Sequence, residues 1–326
     1  MSAGGGTKAV VAALAANLGI AVAKFIAFAF TRSSSMLAEG VHSLADSGNQ
    51  VLLLVGGKRA QRDATPEHPF GYGRERYIYG FLVSIVLFSI GGMFAIYEGY
   101  EKIAHPHELK SWYWAVGVLI FSIILESFSF RTAIKESNTA RGKLGWVQFV
   151  RRAKSPELPI VLLEDLGALI GLVLALVGVS LAVITGDGIW DGVGTLCIGV
   201  LLVAIAIVLA LETRSLLLGE AADIDTVRAI EAAVVDGPEV ERLIHMRTLH
   251  LGPEELLIAA KIAVRHDDTA VDVARAIDAA EARIRAAVPI ARAIYLEPDI
   301  YRPAEAVHGA DPEAAPGGKD RHADEA

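Results

Sequence analysis

The sequence predicts an all-α membrane protein, a bundle of six transmembrane helices, followed by a small C-terminal α+β domain. Hydrophobic residues make up 53% of the 326 residues and charged residues only 21%, and the mean hydropathy is +0.44. These values are typical of membrane proteins. A helix of about 20 apolar residues crosses a bilayer, and six segments have this length, at residues 9–30, 35–57, 77–100, 112–134, 157–185 and 190–214. We therefore expect residues 1–215 to form an integral, multi-pass transmembrane domain.

The basic residues between these segments predict the orientation of the bundle. Five Lys and Arg residues lie between positions 58 and 76, and six lie between positions 135 and 154. The connections on the opposite side contain only Arg32, Lys102 and Lys110. Because cytoplasmic loops carry the excess of Lys and Arg, we expect both termini to face the cytoplasm.

The character of the sequence changes after about residue 219. Two amphipathic helical patterns and three strand patterns follow in the order α-β-β-α-β, which predicts a cytoplasmic α+β domain over residues 216–302. Residues 303–326 are rich in Pro, Gly, Ala, Asp and Glu, a composition typical of a disordered tail. The net charge is −8, with the acidic residues concentrated in this second half, so nucleic acid is not an expected partner.

Two of the predicted spans carry ionisable residues at membrane depth. In the second span, AEGVHSLADSGNQ (residues 38–50) places His42 and Asp46 one helical turn apart on the same face, and Glu39 and Asn49 extend that stripe. Within the fifth span, between residues 158 and 184, Glu164 and Asp165 are the only ionisable residues. A charge near the bilayer centre costs on the order of 3 kcal/mol, so we expect these groups to face a cavity or a partner.

One imidazole with two or three carboxylates is a typical ligand set for a divalent cation. It suits zinc, whereas an all-oxygen set would favour manganese, magnesium or calcium. The spans run in opposite directions, so the second and the fifth can meet at this depth. The alternative is a set of buried polar groups that pair with one another and specify helix packing. Lys24 could pair with Glu39 or extend to the membrane interface, and we expect the pairing. Glu126 in the fourth span could line a water path or form an interhelical hydrogen bond.

Several motifs together resemble those of the cation diffusion facilitators, six-helix zinc-type transporters with a cytoplasmic metallochaperone-like domain. The similarity covers about residues 7–300 and rests on Asp165 and on three stretches, SSSMLAEGVHSLADSGNQ, HPFGYGRERYIYG and ETRSLLLGEA. The first two stretches are most similar to the branch that contains the mitochondrial zinc exporters of animals and their bacterial relatives. The resemblance implies a ferredoxin-like C-terminal domain that joins two chains in a homodimer.

The resemblance also implies a metal site formed by His42, Asp46, Asp165 and Glu164. In the family the second span supplies two ligands four residues apart, which here are His42 and Asp46. The fifth span supplies two more, of which Asp165 is the second, and the first falls on Val161, which cannot bind metal. Glu164 is the nearest substitute, although it lies about 100° from Asp165 around the helix.

The function expected from this resemblance is export of a divalent cation from the cytoplasm by proton antiport across a bacterial inner membrane. The ligand set favours Zn²⁺ as the transported substrate, with Co²⁺, Fe²⁺, Cd²⁺ and Mn²⁺ as the other ions it admits. The first alternative is a membrane-embedded metal sensor or scaffold without transport. The second is an intramembrane metal-dependent hydrolase, which usually has a His-Glu-x-x-His motif that this sequence lacks. We therefore do not expect an enzyme.

Overall fold

The computed structural model describes residues 4–31, 34–106 and 112–302, and these residues form a helical membrane part and a smaller α+β part. The membrane part contains eight α-helices and one π-helical segment in its described residues. They are α1 (Gly4–Thr31), α2 (Ser34–Arg59), α3 (Glu75–Val86), the π-helical segment (Leu87–Met93), α4 (Phe94–Ala104), α5 (Trp112–Arg141), α6 (Trp146–Arg152), α7 (Glu157–Thr185) and α8 (Ile189–Leu218).

Five helices in the described residues are long and apolar enough to cross a membrane. They are Gly6–Phe30, Glu75–Ala104, Trp112–Arg141, Glu157–Thr185 and Ile189–Leu218, and they correspond to five of the six predicted spans. The remaining predicted span is α2, a helix of 26 residues. It is long enough, but its polar stripe and its two terminal basic residues make it less apolar than the other five. A multi-pass helical bundle is therefore confirmed, with five clearly apolar spans in the described residues, and the sixth span, α2, stays a prediction.

The helices of the bundle pack in an order that surrounds a central space. α1 packs on α2 and α5, α7 packs on α5 and α8, and α4 packs on α8. Large apolar side chains such as Val22, Phe128 and Leu211 are more than half exposed on the outward faces. In water this would be unfavourable, whereas in a bilayer these faces contact lipid.

The third span is interrupted by the π-helical segment Leu87–Met93, which the apolar pattern does not predict. At its end the backbone N–H of Phe94 bonds to the carbonyl of Ser89, five residues earlier. A Cβ added at Gly92 would lie 2.5 Å from a methyl group of Val203, so α8 approaches the backbone directly at this point. Segments of π-helix are frequent at functional sites, and this one lies beside the cavity described below.

The C-terminal elements follow the predicted order. They are α9 (Ile224–Val235), β1 (Arg242–Gly252), β2 (Glu255–Ala263), α10 (Ala270–Ala287) and β3 (Ala291–Asp299), with sheet order β1-β2-β3. Two hydrogen bonds, from Leu256 N to Ile290 O and from Val264 N to Asp299 O, connect the starts and the ends of β2 and β3. Residue numbers therefore increase in the same direction along both strands, and β3 runs parallel to β2. Every second residue of β2 from Leu256 to Ile262 is buried, which gives the sheet one covered face.

The chain divides into two compact units, and the division does not follow the sequence order strictly. The first contains residues up to Asp223 together with Thr248–Leu257 and Ile290–Ala293, and the second contains Ile224–Arg247, Ile258–Pro289 and the residues from Ile294. α8 continues to Leu218, beyond the predicted boundary after residue 215. The predicted disordered tail, 303–326, lies outside the described residues.

Candidate functional site

A cavity of about 170 Å³ lies within the helix bundle. Its walls come from α1, α2, α5, α7 and α8 and, in the third span, from the π-helical segment and α4. The lining is mostly apolar but contains nine ionisable residues, namely Lys24, Glu39, His42, Asp46, Glu98, Lys102, Glu126, Glu164 and Asp191. Such a concentration of charged groups between membrane helices marks an ion pathway or an ion site.

His42 and Asp46 lie together on α2, as the sequence predicts. The imidazole Nε2 is 3.7 Å from the nearer Asp46 carboxylate oxygen, and both side chains are one-quarter exposed. Because the two residues are one turn apart, their side chains face the cavity side by side. One nitrogen ligand and one oxygen ligand are thus available from a single helix.

Glu164 reaches α2 from α7. Its two carboxylate oxygens accept hydrogen bonds from the side-chain amides of Asn49, at 2.7 Å, and Gln50, at 2.9 Å. The Gln50 amide oxygen in turn accepts from Asn17 of α1, at 3.4 Å. Asn49, which the sequence places on the polar stripe of α2, therefore ties that helix to α7. The hydrogen bond from Gln50 to Glu164 was not predicted, because the sequence shows only that a polar residue follows Asn49.

Asp165, the neighbour of Glu164, takes part in a different contact. It is 1% exposed, and its carboxylate accepts a 2.6 Å hydrogen bond from the Ser129 hydroxyl of α5. His42, Asp46 and Glu164 line the cavity, whereas Asp165 is outside the described lining. Val161, one turn before Asp165, is fully buried in the apolar core.

In the described part of the chain, no group of three or more His, Cys, Asp or Glu side chains is arranged to hold a metal ion. The four-residue site His42, Asp46, Asp165 and Glu164 therefore stays a prediction. Its members lie on α2 and α7, and the carboxylates of Glu164 and Asp165 accept hydrogen bonds from amide and hydroxyl donors.

Both lysines of the cavity are paired with carboxylates. Lys24 lies 3.4 Å from Glu39 and donates a 2.9 Å hydrogen bond to Ser43, which confirms the pairing of Lys24 with Glu39 expected from the sequence. The positive charge of Lys24 therefore neutralises the carboxylate of Glu39.

The second lysine, Lys102, joins the third span to α8. Its ammonium group lies 3.1 Å from Glu98 and 3.1 Å from Asp191, and it donates a 3.2 Å hydrogen bond to Thr195. The contacts of Lys102 with α8 were not predicted, since Asp191 and Thr195 lie far from it in sequence and the pairing depends on the packing of α4 on α8.

Comparison with known proteins gives a family match over the membrane part. The family model described as the cation efflux transmembrane domain matches residues 10–218. The chain is also similar to proteins named "Proton-coupled zinc antiporter SLC30A9, mitochondrial", with 31% identity over 242 residues in Xenopus laevis and 29% over 241 residues in Homo sapiens. These alignments cover 73% of this chain but 43% and 42% of the relatives, so the chain spans less than half of their length.

Two further similarities concern a bacterial protein and a solved structure. The "Manganese efflux system protein MneP" of Bacillus subtilis is 22% identical over 279 residues, which cover 83% of this chain and 89% of that protein. A variant of the MamM C-terminal domain is 19% identical, with a TM-score of 0.23, and the match covers 24% of this chain and 93% of that domain.

Proposed function

The chain belongs to the cation efflux family, also called the cation diffusion facilitators, and we propose that it exports a divalent metal cation, in the first place Zn²⁺, in exchange for protons. The observation that carries the proposal is the cavity within the bundle, where His42, Asp46 and Glu164 are lining residues. An imidazole and carboxylates facing one small space are suitable ligands for a divalent cation. Relatives named as transporters support transport rather than catalysis.

The identity of the cation follows from the ligand chemistry. A neutral imidazole suits zinc, whereas manganese prefers oxygen ligands. His42 therefore favours zinc, in keeping with the name of the vertebrate relatives, although the carboxylates around it also suit the manganese named for the Bacillus protein. We propose zinc as the preferred substrate and manganese as the competitor to test first.

Proton exchange follows from the requirement that ligands be deprotonated. A histidine binds metal only as the neutral imidazole and a carboxylate only when ionised, so binding releases protons and protonation releases the metal. The carrier then alternates between two facing states that differ in their affinity for metal and protons.

We further propose that residues 216–302 join two chains in a homodimer and that both termini face the cytoplasm of a bacterial cell, in its inner membrane. The distribution of Lys and Arg supports the orientation. One chain has a mass of 34.6 kDa. Light scattering on the detergent-solubilised protein should therefore give a protein mass close to twice that value, and the mass of a single chain would contradict the dimer.

Proteoliposome flux tests the proposed activity. An outward proton gradient should drive Zn²⁺ uptake by the wild type, read from an enclosed zinc indicator and a pH dye. Asp46→Ala should abolish both signals because it removes the carboxylate that is proposed to bind the cation together with His42. Asp63→Ala, at an exposed position in the loop after α2, is the matched control and should behave like the wild type. Full zinc–proton exchange by Asp46→Ala would show that the assigned site is wrong.

A further inference from the structure

Glu126 occupies the middle of α5 and faces the cavity. Its side chain is 2% exposed, and it is one of the lining residues together with His42, Asp46 and Glu164. It belongs to a buried polar stripe on α5, since Ser122 and Ser129, four residues before it and three after it, are also buried. The carboxylate therefore lies between membrane helices rather than towards lipid.

The other acidic residues that line the cavity have charged or hydrogen-bonding partners. Glu39 is paired with Lys24, and Glu98 and Asp191 are paired with Lys102. Asp46 lies beside His42, and Glu164 accepts two amide hydrogen bonds. Both lysines of the cavity are thus already paired with carboxylates other than that of Glu126.

Glu126 has no such partner. Over the described ranges, its carboxylate lies in the cavity wall without a hydrogen bond or an ion pair to another side chain. Three acids, Asp165, Asp46 and Glu164, repel it, whereas Lys24, whose ammonium group is paired with Glu39, attracts it more weakly. A buried carboxylate without a donor is strongly unfavourable, and a role in helix packing would require the hydrogen bond that is missing here.

We propose that Glu126 is a further ligand of the transported cation, supplied by α5 in addition to the residues of α2 and α7. The inference rests on the proposed function and deepens it, because it adds a third helix to the binding site. A divalent cation in the cavity would neutralise the carboxylates that the two lysines leave unpaired. Carboxylate oxygen is a good ligand for zinc and for harder ions such as manganese, so Glu126 would also influence the choice between them.

Calorimetric binding of Zn²⁺ to the purified full-length protein in detergent tests the assignment. Glu126→Gln keeps the shape of the side chain and removes its charge, so the dissociation constant should rise at least tenfold. Glu136→Gln, ten residues further along the same helix, is the matched control and should bind as the wild type does. A wild-type dissociation constant for folded Glu126→Gln overturns the proposal.

A second variant separates a ligand from a structural residue. Glu126→His replaces an oxygen ligand by a nitrogen ligand, so the ratio of Zn²⁺ to Mn²⁺ affinity should rise above that of the wild type. A structural role would leave this ratio unchanged, and an unchanged ratio overturns the assignment. Where Glu126→Gln does not fold, this variant and Glu126→Asp carry the test, the latter through the weaker zinc binding expected of a shortened ligand.

The two proposals fail in distinguishable ways. If the wild type neither binds nor transports a divalent cation, the proposed function is wrong. If the wild type transports Zn²⁺ and Asp46→Ala does not, while folded Glu126→Gln binds with unchanged affinity, the function stands and only the role of Glu126 is refuted.

Discussion

The hydrogen bond from Asn49 to Glu164 permits a quantitative prediction. Asn49→Ala removes a 2.7 Å bond to a carboxylate that is 5% exposed. A hydrogen bond to a charged group contributes about 1.5–3 kcal/mol in soluble proteins. Interhelical hydrogen bonds in membrane proteins average about 0.6 kcal/mol and reach about 1.7. Because this bond is short and Glu164 keeps its second donor, Gln50, we expect a coupling of about 1–2 kcal/mol between these estimates.

A double-mutant cycle measures this coupling. The free energy of unfolding is determined in mixed micelles for the wild type, Asn49→Ala, Glu164→Ala and the double variant, and the cycle removes the effects of each truncation alone. Asn138→Ala, at an exposed position near the end of α5, replaces Asn49→Ala in a control cycle. Independent sites add to within about 0.5 kcal/mol. A coupling below that value would refute the argument that Asn49 holds Glu164.

Three further predictions concern packing, pH and capping. Gly199→Ala should cost about 1–3 kcal/mol, seen as a lower unfolding temperature, because the new Cβ would lie 2.6 Å from the backbone N of Ile96. Burial would raise the pKa of Glu220, but hydrogen bonding, chiefly from Lys154, holds that pKa below its usual value. The resulting stability is present above the unfolded pKa of about 4.3 and is lost as pH falls through the lower folded pKa. The advantage of the wild type over Lys154→Met in unfolding temperature should therefore shrink as the pH is lowered from about 7 to about 3. Thr269→Ala should cost about 1 kcal/mol in denaturant unfolding, because it removes the N-cap and the capping box of α10.

Each of these variants has a matched control. For the glycine variant it is Gly117→Ala, since a Cβ there meets nothing within 4 Å. For the pH experiment it is Lys143→Met, which makes the same charge change in an exposed loop, and for the cap it is the exposed Thr139→Ala. An unchanged unfolding temperature for the glycine variant would contradict the close approach of α4 and α8. A pH-independent difference would contradict the role of the lysine, and an unchanged free energy of unfolding would contradict the cap.

The helices and the pairing on α2 could be predicted because they depend on local periodicity. An apolar run of bilayer length forms a helix wherever it lies in the chain, since lipid offers its backbone no other hydrogen-bond partner. His42 and Asp46 meet because residues four apart share a helix face. The same reasoning gave the order α9-β1-β2-α10-β3, in which the hydrophobic period changes from helix to strand and back.

The choice between Glu164 and Asp165 could not be predicted in this way. Adjacent residues point about 100° apart, so either could face the cavity, and the rotation of α7 about its axis decides which one does. That rotation depends on packing with neighbouring helices. Val161 is buried in the core and Asp165 is held by Ser129, which turns Glu164 towards α2.

The sequence by itself determined that this protein spans a membrane, which family it resembles, and that α2 carries an imidazole and a carboxylate one turn apart. Only the tertiary structure decided which other acids share the cavity with them. It gave Lys24 and Lys102 their partners, brought the amides of α2 to Glu164 and left Glu126 facing the cavity without a donor. The physical reason is that a helix face follows from residue spacing alone, whereas the neighbour of that face depends on how separate helices pack.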